Sequence, residues 1–279
     1  MKTFRNLIIL FFSFSFLLLG YIFLKYKIDQ SDEKIKRFFD FNAELLLNTI
    51  EEERLNALAL SLILSQNDDI KSCLKYENRQ NCEKNLKFYI SILQNVPLYK
   101  DILIHLHSDD LKSIIRSWDD QKKGDDLKYF RHTIYETKQN KTPTSGIEIG
   151  KCGVFVRGVS PVFADSNFLG SIEVMLGFKH LYSLSKRQKY DLLILIKDNY
   201  KIECFKKSYI KIHGFNIIDK NDINLNILPF LDKIDFKNRN FIKFKNDYFY
   251  SKKLYDFKNN HIGYIIMHKH SKSKINDIF

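Results

Sequence analysis

Arg116 and Trp118 stand two apart in the run Ser113-Ile-Ile-Arg-Ser-Trp118, which reads as a strand and so puts both side chains on one face. A guanidinium fork meets a carboxylate with two parallel hydrogen bonds, and an indole can cover a ligand's apolar part or a cation. Together they suit a small carboxylate-bearing molecule. Arg131 follows Leu127 by four residues and Phe130 by one, on the stripe of an amphipathic helix that should face a sheet. A guanidinium buried there must be paired. Glu148 or Glu173 could do this as a structural ion pair, or a ligand could do it directly. Arg157, among Phe155, Val159 and Pro161, poses the same choice.

Other residue types offer less. His105 and His107 share a strand face at i, i+2, and His268 and His270 repeat that spacing. Two imidazoles could begin a metal site, but the sequence places no third and fourth ligand nearby. They read as surface or pocket histidines, and neither a metal nor a cofactor is expected. There is no His-Glu-x-x-His, no Gly-x-Ser-x-Gly, no P-loop and no dinucleotide-binding glycine fingerprint, so neither catalysis nor a catalytic residue is expected. Asp125-Asp126 reads as a helix cap. Cys73 and Cys82 flank a polar turn and could close a small loop in an oxidising compartment. Spacing alone leaves that bridge open. Cys152 and Cys204 lie in strand-like segments and read as buried thiols.

The elements that must position these residues begin with residues 7–24, an uncharged apolar run. About 20 such residues cross a bilayer as a helix. Lys2 and Arg5 precede the run, favouring a cytoplasmic N-terminus over residues 1–6. Lys25-Tyr-Lys-Ile-Asp29 follows, with no small-x-small cleavage site, so an uncleaved anchor is favoured over a signal peptide. The chain carries 45 bases and 33 acids, net +12. Without the four bases Lys2, Arg5, Lys25 and Lys27, 41 face 33 beyond the anchor, net +8. These lysines are scattered rather than gathered with aromatics, which argues for a solvated surface and against nucleic acid. Residues 31–66 hold no Gly or Pro and repeat apolar residues at helical spacing from Phe39 to Leu64, interrupted at Glu53. This predicts a stalk helix about 50 Å long, able to pair with its copy in a homodimer.

Seven of the ten glycines lie between Gly124 and Gly177, amid short alternating runs at 102–107, 113–118, 153–159 and 169–176. With a helix from Asp125 to about Gln139, the order is two strands, a helix and three strands, a PAS-like antiparallel sheet. A second, weaker copy follows residues 179–188, with strands at 190–196, 209–218, 240–248, 251–257 and 261–268 and a helix near 221–233. The fold class is therefore α+β: an N-terminal transmembrane helix, a long stalk helix and two stacked PAS-like modules.

Gly124-Asp-Asp-Leu-Lys-Tyr-Phe-Arg131, Gly146-Ile-Glu-Ile-Gly150, Gly153-Val-Phe-Val-Arg-Gly-Val-Ser-Pro161 and Leu169-Gly-Ser-Ile-Glu173 resemble double Cache domains, the extracytoplasmic sensors of bacterial chemoreceptors and sensor kinases. The resemblance runs from about Lys34 to His270, strongest over 104–176. It implies a membrane-distal ligand-binding module over 69–178 and a membrane-proximal module over 190–270. Amino-acid sensors of this kind carry Arg-x-Trp followed by Tyr, and later a carboxylate for the ammonium. Arg116-Ser-Trp118 matches and Glu173 stands where the acid is expected, whereas Asp119 and Leu111 replace tyrosines. The candidate ligand residues are thus Arg116, Trp118, Arg131, Glu148, Arg157 and Glu173, and the ligand an organic acid or amino-acid-like molecule.

The expected protein is a single-pass inner-membrane sensor, its bulk periplasmic, held by residues 7–24 and serving chemotaxis or signal transduction. No second span or output region follows the modules, so a separately encoded signalling subunit or a truncated receptor is expected. The alternative is an envelope scaffold with a vestigial pocket.

Overall fold

The computed structural model describes residues 2–76, 79–119, 123–200, 210–219 and 221–271. Helix α1 runs unbroken from Lys2 to Ser65, so the apolar run and the expected stalk are one element. The chain divides into two compact units, Met1–Glu44 and Leu45–Phe279. In the first, large apolar side chains from Leu10 to Ile28 are exposed, and this part of the helix is long and apolar enough to cross a membrane.

The second unit opens with the last turns of α1, whose Leu46, Ile50, Glu53, Ala57, Ser61 and Leu64 are buried. The spacing is that of one helical stripe, and Glu53 is its one ionisable member. Helices α2 (Asp68–Tyr76) and α3 (Arg79–Leu93) follow. The Cys73–Cys82 disulfide joins them, with a Cα–Cα distance of 5.4 Å.

The first sheet comprises β1 (Leu103–Ser108), β2 (Ser113–Arg116), β3 (Thr144–Gly150), β4 (Gly153–Ala164) and β5 (Asn167–Leu176), in the order β2-β1-β5-β4-β3. Helix α4 (His132–Asn140) connects β2 to β3. Neighbours are antiparallel throughout. Residues Val156 to Val162 of β4 are buried without alternation, the signature of a strand covered on both faces. On one face Gly158 meets α1: a Cβ there would lie 2.3 Å from the Ala57 carbonyl carbon. Two residues on, the Ser160 and Ser61 hydroxyls are hydrogen-bonded at 2.8 Å. On the other face Val159 packs with Leu111, Leu127 and Ile134 of the α4 side.

Helix α5 (Lys179–Arg187) leads to β6 (Asp191–Lys197), β7 (Ile210–Ile212), β8 (Phe215–Ile217), β9 (Phe241–Phe244), β10 (Asp247–Tyr255) and β11 (His261–His270). They form a second antiparallel sheet in the order β7-β8-β6-β11-β10-β9. Leu193, Leu195, Phe215, Phe249, Tyr264 and Ile266 are part of its core.

Four expectations need correction. The helix expected from Asp125 begins only at His132, and Asp125 is no cap; it pairs with Arg116, while the Asp126 backbone pairs antiparallel with that of Lys112. The helix expected over 221–233 shrinks to a 3-10 turn, Leu225–Ile227, and one turn, α6 (Leu228–Leu231), with a proline in its first turn. Cys152 is disulfide-bonded rather than a thiol; Cys204 lies outside the described residues. The expected strand over 209–218 is a tight hairpin, β7 and β8, turning through His213 and Gly214 at positive φ.

Candidate functional site

Strand register assembles a charged cluster on the α4 face of the first sheet. His105 of β1 sits opposite Arg116 of β2 on one side and Glu173 of β5 on the other. Two residues along the same strand face, His107 sits opposite Ser113 and Ser171. Arg157 of β4 pairs in register with Met175 of β5. Arg131 enters from the start of α4, where it is the N-cap residue.

These side chains are deeply buried: Glu173 and His107 at 0 %, His105 and Arg157 at 2 %, Arg131 and Glu148 at 4 %. Charges so placed must satisfy one another. Arg131 donates through Nε to Glu148 Oε2 at 2.8 Å and through Nη2 to Glu173 Oε1. Arg157 donates through Nη1 to Glu173 Oε1 at 2.8 Å and through Nε to the Glu148 carbonyl at 3.1 Å. Glu148 also accepts from the Thr133 backbone N–H at 2.9 Å and its hydroxyl at 2.7 Å. It thereby serves the free N–H groups that begin α4, where a negative charge is favoured.

Burial alone would raise the Glu173 carboxyl, yet the Arg131 and Arg157 guanidiniums hold it well below the usual range. Burial lowers both imidazoles, His105 the further, so they are neutral at physiological pH. Arg116 lies nearer the surface and forms a two-pronged pair with Asp125 at 3.0 and 2.6 Å, which draws the Asp125 carboxyl down. The Trp118 ring stands edge-on to His105, centroids 5.5 Å apart.

A cavity of about 200 Å³ opens beside the cluster. Its walls include Arg116, Trp118, Arg131, Arg157 and His105, with Leu103, Phe130, Phe155 and Met175 supplying apolar surface. Four of the six residues singled out in the sequence are therefore in its wall. Glu148 and Glu173 are not; they stand behind the arginines as counter-ions. Sequence reasoning misread two participants. Asp125 looked like a cap, and His105 looked incidental because its partner Glu173 lies far along the chain. A larger space of about 500 Å³, lined by Asp101, Phe178, Lys179 and Asp219, lies where the sheet modules adjoin. Its Lys179–Asp101 pair is half-exposed, in contrast to the buried charges of the smaller cavity.

Two antiparallel modules in tandem, the first holding a small cavity walled by charge and aromatic rings, have the build of a sensory ligand-binding protein. The sequence matches the dCache_3 family model, a double sensory domain of two-component sensor kinases, over residues 40–273, and the chain belongs to this family. Solved structures share the fold. The domain of a sensory box/GGDEF family protein from Vibrio parahaemolyticus aligns with a TM-score of 0.50 at 14 % identity, covering 88 % of this chain and 97 % of that one. The sensor domain of the Vibrio cholerae histidine kinase DctB aligns at 0.50 and 10 %, covering 85 % and 96 %. The ligand-binding domain of the Campylobacter jejuni chemoreceptor Tlp3, solved in complex with 4-methylisoleucine, gives 0.49 and 13 %, covering 90 % and 95 %. At these identities the first two likenesses concern the fold alone. No curated protein sequence matches the chain.

Proposed function

We propose that this protein is a single-pass inner-membrane sensor, anchored by residues 7–24, with its sensory modules outside the cytoplasm. Residues 69–178 are the membrane-distal, ligand-binding module and residues 190–270 the membrane-proximal one. The ligand is a small carboxylate-bearing molecule, and the protein performs no chemistry on it. One observation carries this reading: the cavity of about 200 Å³ is walled by Arg116, Arg131 and Arg157 with Trp118 beside them. Three guanidiniums converging with an indole are donors for a carboxylate and a flat cover for an apolar group. Drug-sized ligands occupy roughly 300 Å³ and more, so the space suits a small metabolite.

Binding would move β4, which carries Arg157 on one face and seats α1 at Gly158 on the other. The movement would then pass to a dimer partner or a separate signalling subunit. Exposed Leu55, Leu62 and Ile63 on α1 supply an apolar stripe for such a dimer.

The test is thermal unfolding of the full chain in detergent against a panel of organic acids, amino acids and amines. A ligand at 100 times its Kd should stabilise the fold by about 2.7 kcal/mol, a shift of a few degrees. The shift should vanish in Arg116→Ala, whose own fold should survive because Asp125 is partly exposed. A second reading is favoured by one specific feature: each guanidinium in the wall already holds a carboxylate of the protein. If no compound moves the melting curve, the protein is better read as an envelope interaction protein whose pocket is closed by its own ion pairs.

A further inference from the structure

Behind the cavity, three buried atoms face one another without hydrogen-bond partners: His105 Nδ1, His107 Nε2 and Glu173 Oε2. His105 Nδ1 lies 3.5 Å and His107 Nε2 3.7 Å from Glu173 Oε2, and all three atoms fall within 4.8 Å of one another. Leaving one buried polar atom unpaired is costly. Three that converge on a single point describe a place for something else to bind.

We propose that His105, His107 and Glu173 form a binding site for a divalent transition-metal ion of the zinc class. Two imidazoles and a carboxylate are the ligand types such ions favour over calcium or magnesium. Zinc bonds of about 2.0–2.2 Å in a tetrahedral arrangement put neighbouring donors about 3.3–3.6 Å apart. The two imidazole–Glu173 separations need to contract by no more than a few tenths of an ångström, and the two imidazole nitrogens, which lie within 4.8 Å of each other, by up to about 1.5 Å. The neutral imidazole is the form that ligates.

The remaining atoms of the three ligands are anchored as a metal site requires. His105 Nε2 is hydrogen-bonded to the Ser113 hydroxyl at 2.8 Å and His107 Nδ1 to the Ser171 hydroxyl at 2.9 Å. Glu173 Oε1 accepts from both Arg131 and Arg157, leaving Oε2 for the metal. The nearby charges already balance, since Glu148 and Glu173 offset Arg131 and Arg157. An ion would therefore bring its own two positive charges. Three protein donors leave it room for a water or an anion, and the cavity reaches His105 from the other side.

The site does not depend on the carboxylate reading, because metal uptake is measured without any small ligand. The experiment is titration of EDTA-stripped full chain in detergent with Co²⁺, followed by its visible absorption, and then displacement by Zn²⁺. One equivalent per chain with nitrogen-and-oxygen-ligated cobalt bands is expected. His107→Asn should abolish uptake. Ser171→Ala, which keeps the ligands and removes only an anchor, should weaken it about 10- to 100-fold. His268→Asn, in the separate His268–Asp191–Asp247 cluster, should leave uptake unchanged. If His107→Asn does not fold, the wild-type spectrum and Ser171→Ala decide. A folded wild type that takes up no cobalt overturns the proposal. So does uptake that survives His107→Asn, that is indifferent to Ser171→Ala, or that is lost with His268→Asn.

Discussion

At the scale of single residues, the clearest tension in the fold is Glu53. It is buried at 2 % with neither carboxyl oxygen hydrogen-bonded, and burial pushes its pKa up from 4.5 to about 8. The folded chain must keep this proton where the unfolded chain would release it. Stability is thus greatest below about pH 4.5 on this account, falls as pH rises towards 8, and levels off above. Glu53→Gln removes the ionisation and keeps the shape. It should add about 2–4 kcal/mol at pH 8 and flatten the pH dependence between the two limits. Urea unfolding at pH 5, 6.5 and 8 measures this; equal slopes in wild type and variant would show that Glu53 finds a partner in solution. In the sequence Glu53 showed only as a break in a stripe. Periodicity says where a residue points and nothing about whether its charge is answered.

Elements were legible where a pattern stayed local. The alternation at 153–159 and 169–176 announced β4 and β5, and the helical spacing over 31–66 announced the later part of α1. The start of α4 was misplaced because Asp125 and Asp126 are the residues a helix start favours. Their side chains instead serve Arg116 and a turn, and the start is served by Glu148 from β3. The cluster around Glu173 was legible only in part for a related reason: an ion pair of Arg131 with Glu148 or Glu173 was expected, the two histidines beside Glu173 were not. It depends on the register of four strands, which no local spacing reveals. Gly158 illustrates the same limit. An alanine Cβ there would stand 2.3 Å from the Leu58 nitrogen and 2.4 Å from the Ala57 carbonyl oxygen, backbone atoms that cannot rotate away. Gly158→Ala should therefore cost about 1–3 kcal/mol or more by forcing α1 off β4. Thermal unfolding reads it directly, and an unshifted melting temperature would mean that α1 is loosely seated.

For the whole molecule, the proposal of a dimer rests on the apolar stripe that α1 leaves exposed at Leu55, Leu62 and Ile63. Leu62→Cys in the full chain should give an oxidised, covalent dimer in detergent, whereas Lys253→Cys, exposed on β10, should not. Equal cross-linking at both positions would mark random collision rather than a dimer. The paired arginines bear on what such an assembly would report. A ligand carboxylate arriving at Arg116 does not meet a bare cation; it competes with Asp125, which already holds both prongs of the guanidinium. Binding is then an exchange, and the rival is always present at the same effective concentration. On the proposed reading, the protein works as a comparator. It answers when outside ligand outbids an internal standard, and the strength of the Arg116–Asp125 bond sets the concentration at which the cell takes notice.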